Sequence, residues 1–227
     1  MASGILRNIK KPPNSNFQFK NFPKKVLRKI NSLNTPKKIT SYIDNLNYNY
    51  SDSSLSPLDV LQENKAQCLQ AALTASCLFN YHNHPPLLLD LRAVRDEDHV
   101  LCIYQVDGYW GSIAKSKFTG LRGRDPVYSS IKELALSYFE NYFNFAGQKT
   151  LREYSIPLNL TQFDSKNWMT NTDVQSSIAI KLDLIKHYSL FSKSHTIYLS
   201  RVSGVRFTAG TMDSKIKNLS ELNEIKK

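Results

Sequence analysis

The chain has 227 residues and a mass of 26.0 kDa, with 41% hydrophobic, 11% aromatic and 22% charged side chains. That composition excludes a disordered or fibrous polypeptide and predicts one domain with an appendage. The formal charge of +11 is uneven: residues 1–40 hold 10 Lys or Arg and no acid, while the other 187 carry 20 basic against 19 acidic groups. The high pI therefore belongs to an N-terminal arm, and the nearly neutral body gives no argument for a nucleic-acid-binding domain.

Taken in chain order, residues 1–25 read as an extended, weakly ordered arm interrupted by Pro12, Pro13 and Pro23. A short basic helix, VLRKINSL, follows. In NTPKKITSYIDNL, Thr35 is an N-cap before Pro36 at the first helical position, and Ile39, Ile43 and Leu46 recur at helical spacing. NYNYSDSSLSP is a polar loop, and Ser56-Pro57 starts a second short helix. The run AQCLQAALTASCLFNY is apolar or small on all sides and predicts a buried helix. After His84-Pro85-Pro86 the pattern changes to strand, in LLLDLRAV, HVLCIYQV and YWGSIAKS. Asp107-Gly108 between the last two is a type I′ hairpin signal, since both central residues need positive φ. RDPVYSSIKELALSYFENYFN reads as helix and LREYSIPLNL as a further strand. A helix is expected near residues 173–190, HTIYLSRVSGVRF reads as strands or packing tail, and the last 15 residues as a loose polar end.

Three cysteines without a Cys-x-x-Cys pair exclude a disulfide framework and an all-cysteine zinc site, and predict reduced thiols. No apolar run reaches the ~18 residues of a membrane span. The first residues lack the hydrophobic core of a secretory signal, so the expected location is cytoplasmic. Cys68 opens the buried helix, where unpaired N–H groups and the positive end of the helix dipole favour a thiolate. His99 opens the first hairpin strand, within reach of that helix end. Helix-borne Cys followed by strand-borne His is the order of a papain-type nucleophile and base. Cys77 and Cys102 read as buried and inert. The Asp96, Asp98, His99 cluster and the His82/His84 pair match no zinc spacing and read as loop residues. His187 and His195 are isolated. Trp110 and the Tyr138–Phe145 aromatics repeat at helical spacing without interleaved Lys or Arg, so they read as core rather than a base-stacking platform.

With these elements in order, the sequence resembles the transglutaminase-like superfamily of papain-like Cys/His enzymes, in particular its short bacterial-type members. The resemblance runs over about residues 35–160, through TPKKITSYIDNLNYNY, LSPLDVLQENKAQCLQAALTASCLFNYHNHPPLLLDL, DEDHVLCIYQVDGYWGSIAKS and RDPVYSSIKELALSYFENYFN. It implies Cys68 as nucleophile and His99 as its base, with Gln62, Asn64 and Gln67 near the expected oxyanion donor. The family pattern places an Asp on the strand after the hairpin, and that position is Ala114 here. Ser112 and Ser116 share that strand's face, Ser116 pairing opposite His99 across a two-residue turn. Asp125, in a following loop, is the one nearby candidate able to supply a charge.

The expected fold is therefore α+β with a papain-like core: a buried helix on an antiparallel sheet with flanking helices. The expected organisation is a basic arm over 1–34, the transglutaminase-like domain over 35–165, and a C-terminal helix and extension over 166–227. The expected activity is that of a cysteine peptidase, amidase or acyltransferase on a protein or peptide amide, with no cofactor and no metal. The alternatives are a catalytically degenerate binding module and an anionic-partner role for residues 1–34.

Overall fold

A computed structural model of the chain describes residues 19–51 and 53–214. Most of the arm and the end of the polar tail lie outside the described residues. The structure is α+β. Helix α1 (Lys24–Ser32) buries Val26 and Ile30, and Phe19 and Phe22 just before it are buried in the same cluster. The basic arm expected to lie outside the body therefore packs on it from Phe19 onward, because four large apolar side chains share one face of that segment.

Helix α2 (Pro36–Asp44) starts as its sequence requires, with Thr35 Oγ1 accepting from the Lys38 amide. Strand β1 (Asn47–Tyr48) crosses the segment read as a polar loop. Helix α3 (Pro57–Glu63) opens with a capping box in which the Ser56 hydroxyl and the Asp59 carboxylate satisfy each other's backbone amides. Asn64 then takes a left-handed turn (φ 56) that aims strand β2 (Lys65–Ala66) back beside β1, in parallel register Asn47–Lys65 and Tyr48–Ala66.

Helix α4 (Cys68–Tyr81) follows at once, with every residue from Gln70 to Asn80 buried. Its Ala71, Ala72, Ala75 and Ser76 let it lie close to its neighbours. The seven-stranded sheet beneath it comprises β3 (Leu87–Ala93), β4 (His99–Val106), β5 (Tyr109–Ile113), β6 (Arg124–Tyr128), β7 (Leu151–Ser155), β8 (Leu158–Asn159) and β9 (His187–Ser189). The spatial order is β6-β5-β4-β3-β7-β9, β8 also pairs with β3, and every pairing is antiparallel. Asp107 and Gly108 turn the β4–β5 hairpin at φ 48 and 86, as a type I′ turn requires.

Strand alternation divides the core. Leu88, Cys102 and Tyr104 face α4 and the helices around it, while Leu87, Leu89, Leu101 and Ile103 pack with Trp110, Leu134 and Tyr138 on the other face, under helix α5 (Ile131–Phe139). Two boundaries differ from the sequence reading. The segment read as one long helix from Arg124 begins as β6, since Asp125-Pro126-Val127 favours extended backbone. Helix α5 starts only at the Ser130 cap, whose hydroxyl accepts from the Glu133 amide. Helix α6 (Val174–Leu184) stops before β9, and the stretch read as strand or tail is a 3-10 segment (Lys193–Tyr198) followed by helix α7 (Gly204–Thr211), capped by Ser203. Among the described residues no helix is long and apolar enough to cross a membrane.

Candidate active site

The head of α4 is held by its surroundings. Gln70 reaches back to accept the Gln67 amide at 3.0 Å and also accepts from Asn49 Nδ2 at 3.2 Å, which ties the first turn to the β1 side. Cys68 is the first residue of that turn. The backbone amides of Leu69, Val100 and Cys68 itself act on its sulfur in the direction that favours the thiolate. The Val100 amide is near because the β4–β5 ladder begins only at Cys102–Ile113, leaving the start of β4 open to the helix end. Burial acts more strongly in the other direction and, with the Glu97 carboxylate nearby, raises the thiol above its ordinary pKa. The resting group is a neutral thiol.

His99 is buried at the start of β4 on the α5 face, beside Leu101, with its ring 6.4 Å from that of Tyr138. Its Nε2 lies 2.8 Å from the carbonyl oxygen of Leu121. A carbonyl only accepts, so Nε2 carries the proton and Nδ1 keeps the lone pair. Burial pushes the imidazole pKa down to about 4; the Leu121 carbonyl opposes this and the Arg124 guanidinium adds to it. Arg124 also builds the turn that presents Leu121. Its guanidinium stacks over the Tyr138 ring at 4.1 Å and donates to the carbonyls of Gly120 at 2.7 Å, Arg122 at 2.9 Å and Gly123 at 3.1 Å.

Cys68 and His99 line one cavity of about 40 Å³. That volume holds a few water molecules at most. They reach it from opposite faces of the sheet's end, and among the described residues no hydrogen bond joins the thiol to the imidazole. The cavity walls also include Tyr48, Asp96–Asp98 and Ser116.

The other candidates fall elsewhere. Asp125 is exposed on β6, not in a loop, and its charge acts on Tyr104 across the sheet. The acceptor at His99 Nε2 is a main-chain carbonyl instead. Ala114 is buried on the His99 face, and Ser112 is committed to Tyr138 at 2.7 Å. Ser116 Oγ accepts from the Phe118 amide at 3.0 Å. Gln67 donates to Ser51 O at 2.8 Å, Asn64 Oδ1 accepts from Lys29 at 2.9 Å, and neither they nor Gln62 line the cavity. Cys77 and Cys102 are fully buried, with burial raising both thiols. Among the described residues no cluster of three or more His, Cys, Asp or Glu has the arrangement of a metal site.

Sequence reasoning missed Tyr48. The β1–β2 pairing sets it beside Ala66, two residues before Cys68, and its hydroxyl has no hydrogen-bond partner among the described residues. Burial and the nearby Cys68, Glu97 and Tyr50 push that phenol up to about 12, so it is a neutral donor. The visible signal was the alternation of Asn47-Tyr48-Asn49-Tyr50, a short strand pattern inside an otherwise polar stretch. Neither the family models nor the curated proteins compared with this chain give a match.

Proposed function

We propose that the chain is a transglutaminase-like thiol enzyme acting on a protein or peptide amide, with Cys68 as nucleophile and His99 as base. One observation carries the reading: the first residue of α4 is a cysteine, in the cavity lined by an imidazole whose Nε2 is fixed by the Leu121 carbonyl. In the first step the Cys68 proton passes to His99 Nδ1 and the sulfur attacks the amide carbonyl. The developing oxyanion accepts from the Tyr48 hydroxyl. The C–N bond then breaks as the imidazolium returns its proton to the leaving amine, leaving a thioester. Water or a second amine attacks that thioester, the same imidazole takes up the proton, and Cys68 is released as the thiol. Opening of the walls formed by residues 96–98 and 116–121 precedes substrate entry, since the cavity is smaller than any acyl group with its leaving amine.

The test is acylation by p-nitrophenyl acetate. A burst of p-nitrophenol equal to one per chain, lost in Cys68→Ala and strongly reduced in His99→Gln, supports the enzyme. An unchanged burst in Cys68→Ala overturns it. The closed cavity and the raised thiol favour a second reading, a papain-like domain retained as a binding module. Under that reading the wild-type chain gives no burst.

A further inference from the structure

The nearly neutral body conceals a strong local segregation of charge. On the far side of the β3–β4 connection from Cys68 lies an open cleft of about 800 Å³ between the β3, β7 and β9 strands and the Lys193–Tyr198 segment. Six cations wall it, Arg92, Arg95, Lys149, Arg152, Lys193 and Arg201, against a single carboxylate, Glu153. They come from three separated stretches of chain that only the fold brings together.

Two of the six face a carboxylate: Arg92 lies 3.6 Å from Glu153, and Lys149 pairs at 2.8 Å with Glu140, which it shares with Arg206. The other four have no carboxylate partner among the described residues. Arg152 donates to the Leu151 carbonyl and sits 5.6 Å over the Phe191 ring; Arg201 donates to the Ala146 carbonyl. Arg95 is exposed on a left-handed turn (φ 59), and Lys193 is exposed at the start of its 3-10 segment. Partial burial, and after it the Arg95 charge, depress the pKa of Arg152. The hydroxyls of Ser189, Thr196 and Ser200 line the same walls.

We propose that this cleft binds a small ligand carrying a chain of two or three phosphates. The volume of the cleft is in the range of small-molecule sites, and guanidinium forks with hydroxyl donors are the groups that recognise phosphate oxygens. A nucleic-acid strand is disfavoured by the shape: the cations surround one pocket instead of tracking a groove, and the lining aromatic ring, Phe191, is already covered by Arg152 and by Phe139 at 5.4 Å. The site stands apart from the thiol and does not depend on its activity.

The experiment is calorimetric titration of the full chain with inorganic tripolyphosphate, ATP and inorganic phosphate at physiological salt. One tripolyphosphate or ATP per chain is expected, with inorganic phosphate at least tenfold weaker. Tighter ATP assigns a nucleotide, and equal affinity assigns the phosphate chain alone. The Arg95→Ala/Lys193→Ala variant, altered only at exposed side chains, should bind at least tenfold more weakly. Lys37→Ala/Lys38→Ala, which removes the same charge from exposed positions on α2, should bind as the wild type does. No binding up to about 1 mM, equal weakening in both double variants, or preference for a single-stranded oligonucleotide over ATP overturns the proposal.

Discussion

The Nε2 atom of His99 lies 2.8 Å from the carbonyl oxygen of Leu121, 22 residues further along the chain. A main-chain dipole, and not a carboxylate, thus orients the ring. It fixes the ring and its tautomer as an acid would, but it brings no negative charge to stabilise an imidazolium. The pKa of the ring accordingly falls instead of rising.

That fall makes stability depend on acidity in a known direction. Between the ordinary histidine value near 6.5 and the folded value of about 4, the unfolded chain takes up a proton that the folded chain refuses. The neutral ring's contribution is complete above 6.5 and is lost as pH drops through that window, by at most about 3 kcal/mol. Urea denaturation of the wild type and His99→Gln at pH 7, 6, 5 and 4 should show the wild-type advantage shrinking steadily. A constant difference across the series would refute the assignment.

Arg124 should act on the imidazole at a distance. Removing the guanidinium frees the carbonyls of Gly120, Arg122 and Gly123 and uncovers the Tyr138 ring. Arg124→Ala is expected to cost roughly 2–4 kcal/mol and to raise the His99 pKa, read by NMR titration of the ring. Arg124→Lys keeps the charge without the planar fork and should recover little of the stability.

A second buried histidine couples two strands. His187 on β9 meets Asp90 on β3 at 3.0 Å, and its Nδ1 lies 2.9 Å from the Ile185 carbonyl. Asp90→Ala leaves that imidazole without its partner and should cost roughly 3–5 kcal/mol, whereas Asp90→Asn keeps a hydrogen-bonding group facing Nε2 and should cost less. Burial raises the Asp90 pKa to about 6. The folded chain therefore holds a proton that the unfolded chain gives up above 3.8, and the contribution of Asp90 weakens as pH rises through that interval. This is opposite in sign to His99, and pH series on the two variants should separate them.

Tyr48 offers a test that distinguishes chemistry from packing. Acylation by an ester develops an oxyanion and alkylation by iodoacetamide does not. Tyr48→Phe should slow p-nitrophenyl acetate acylation roughly a hundredfold while Cys68 alkylation stays within about twofold of the wild type. Equal slowing of both reactions would mean that the phenol only shapes the cavity.

The legible parts of this fold are those specified locally. Thr35-Pro36, Ser56-Pro57 and Asp107-Gly108 each carry their own backbone instructions, and each element begins or turns at that residue. The small-residue run from Cys68 declares a helix buried on most faces, and the structure buries every residue from Gln70 to Asn80. The site was less legible because its parts arrive through pairings that span the chain. Two-residue strands bring Tyr48 to Cys68, and Leu121 contributes an atom that every residue possesses, so no side-chain pattern announces it. The same holds for Arg95, Arg152 and Lys193, scattered among acids in the sequence and gathered only by the β3, β7 and β9 neighbourhood.

The connection from β3 to β4 walls both cavities. Residues 92–95 border the cationic cleft and residues 96–98 border the thiol, so the peptide bond between Arg95 and Asp96 is a party wall. Asp98 accepts the Ala93 amide at 2.7 Å and Asp96 accepts the Thr150 hydroxyl at 2.7 Å, which leaves little slack in so short a span. Two cavities of opposite character, one walled by cations and one by carboxylates and a thiol, therefore meet back to back across a single peptide bond.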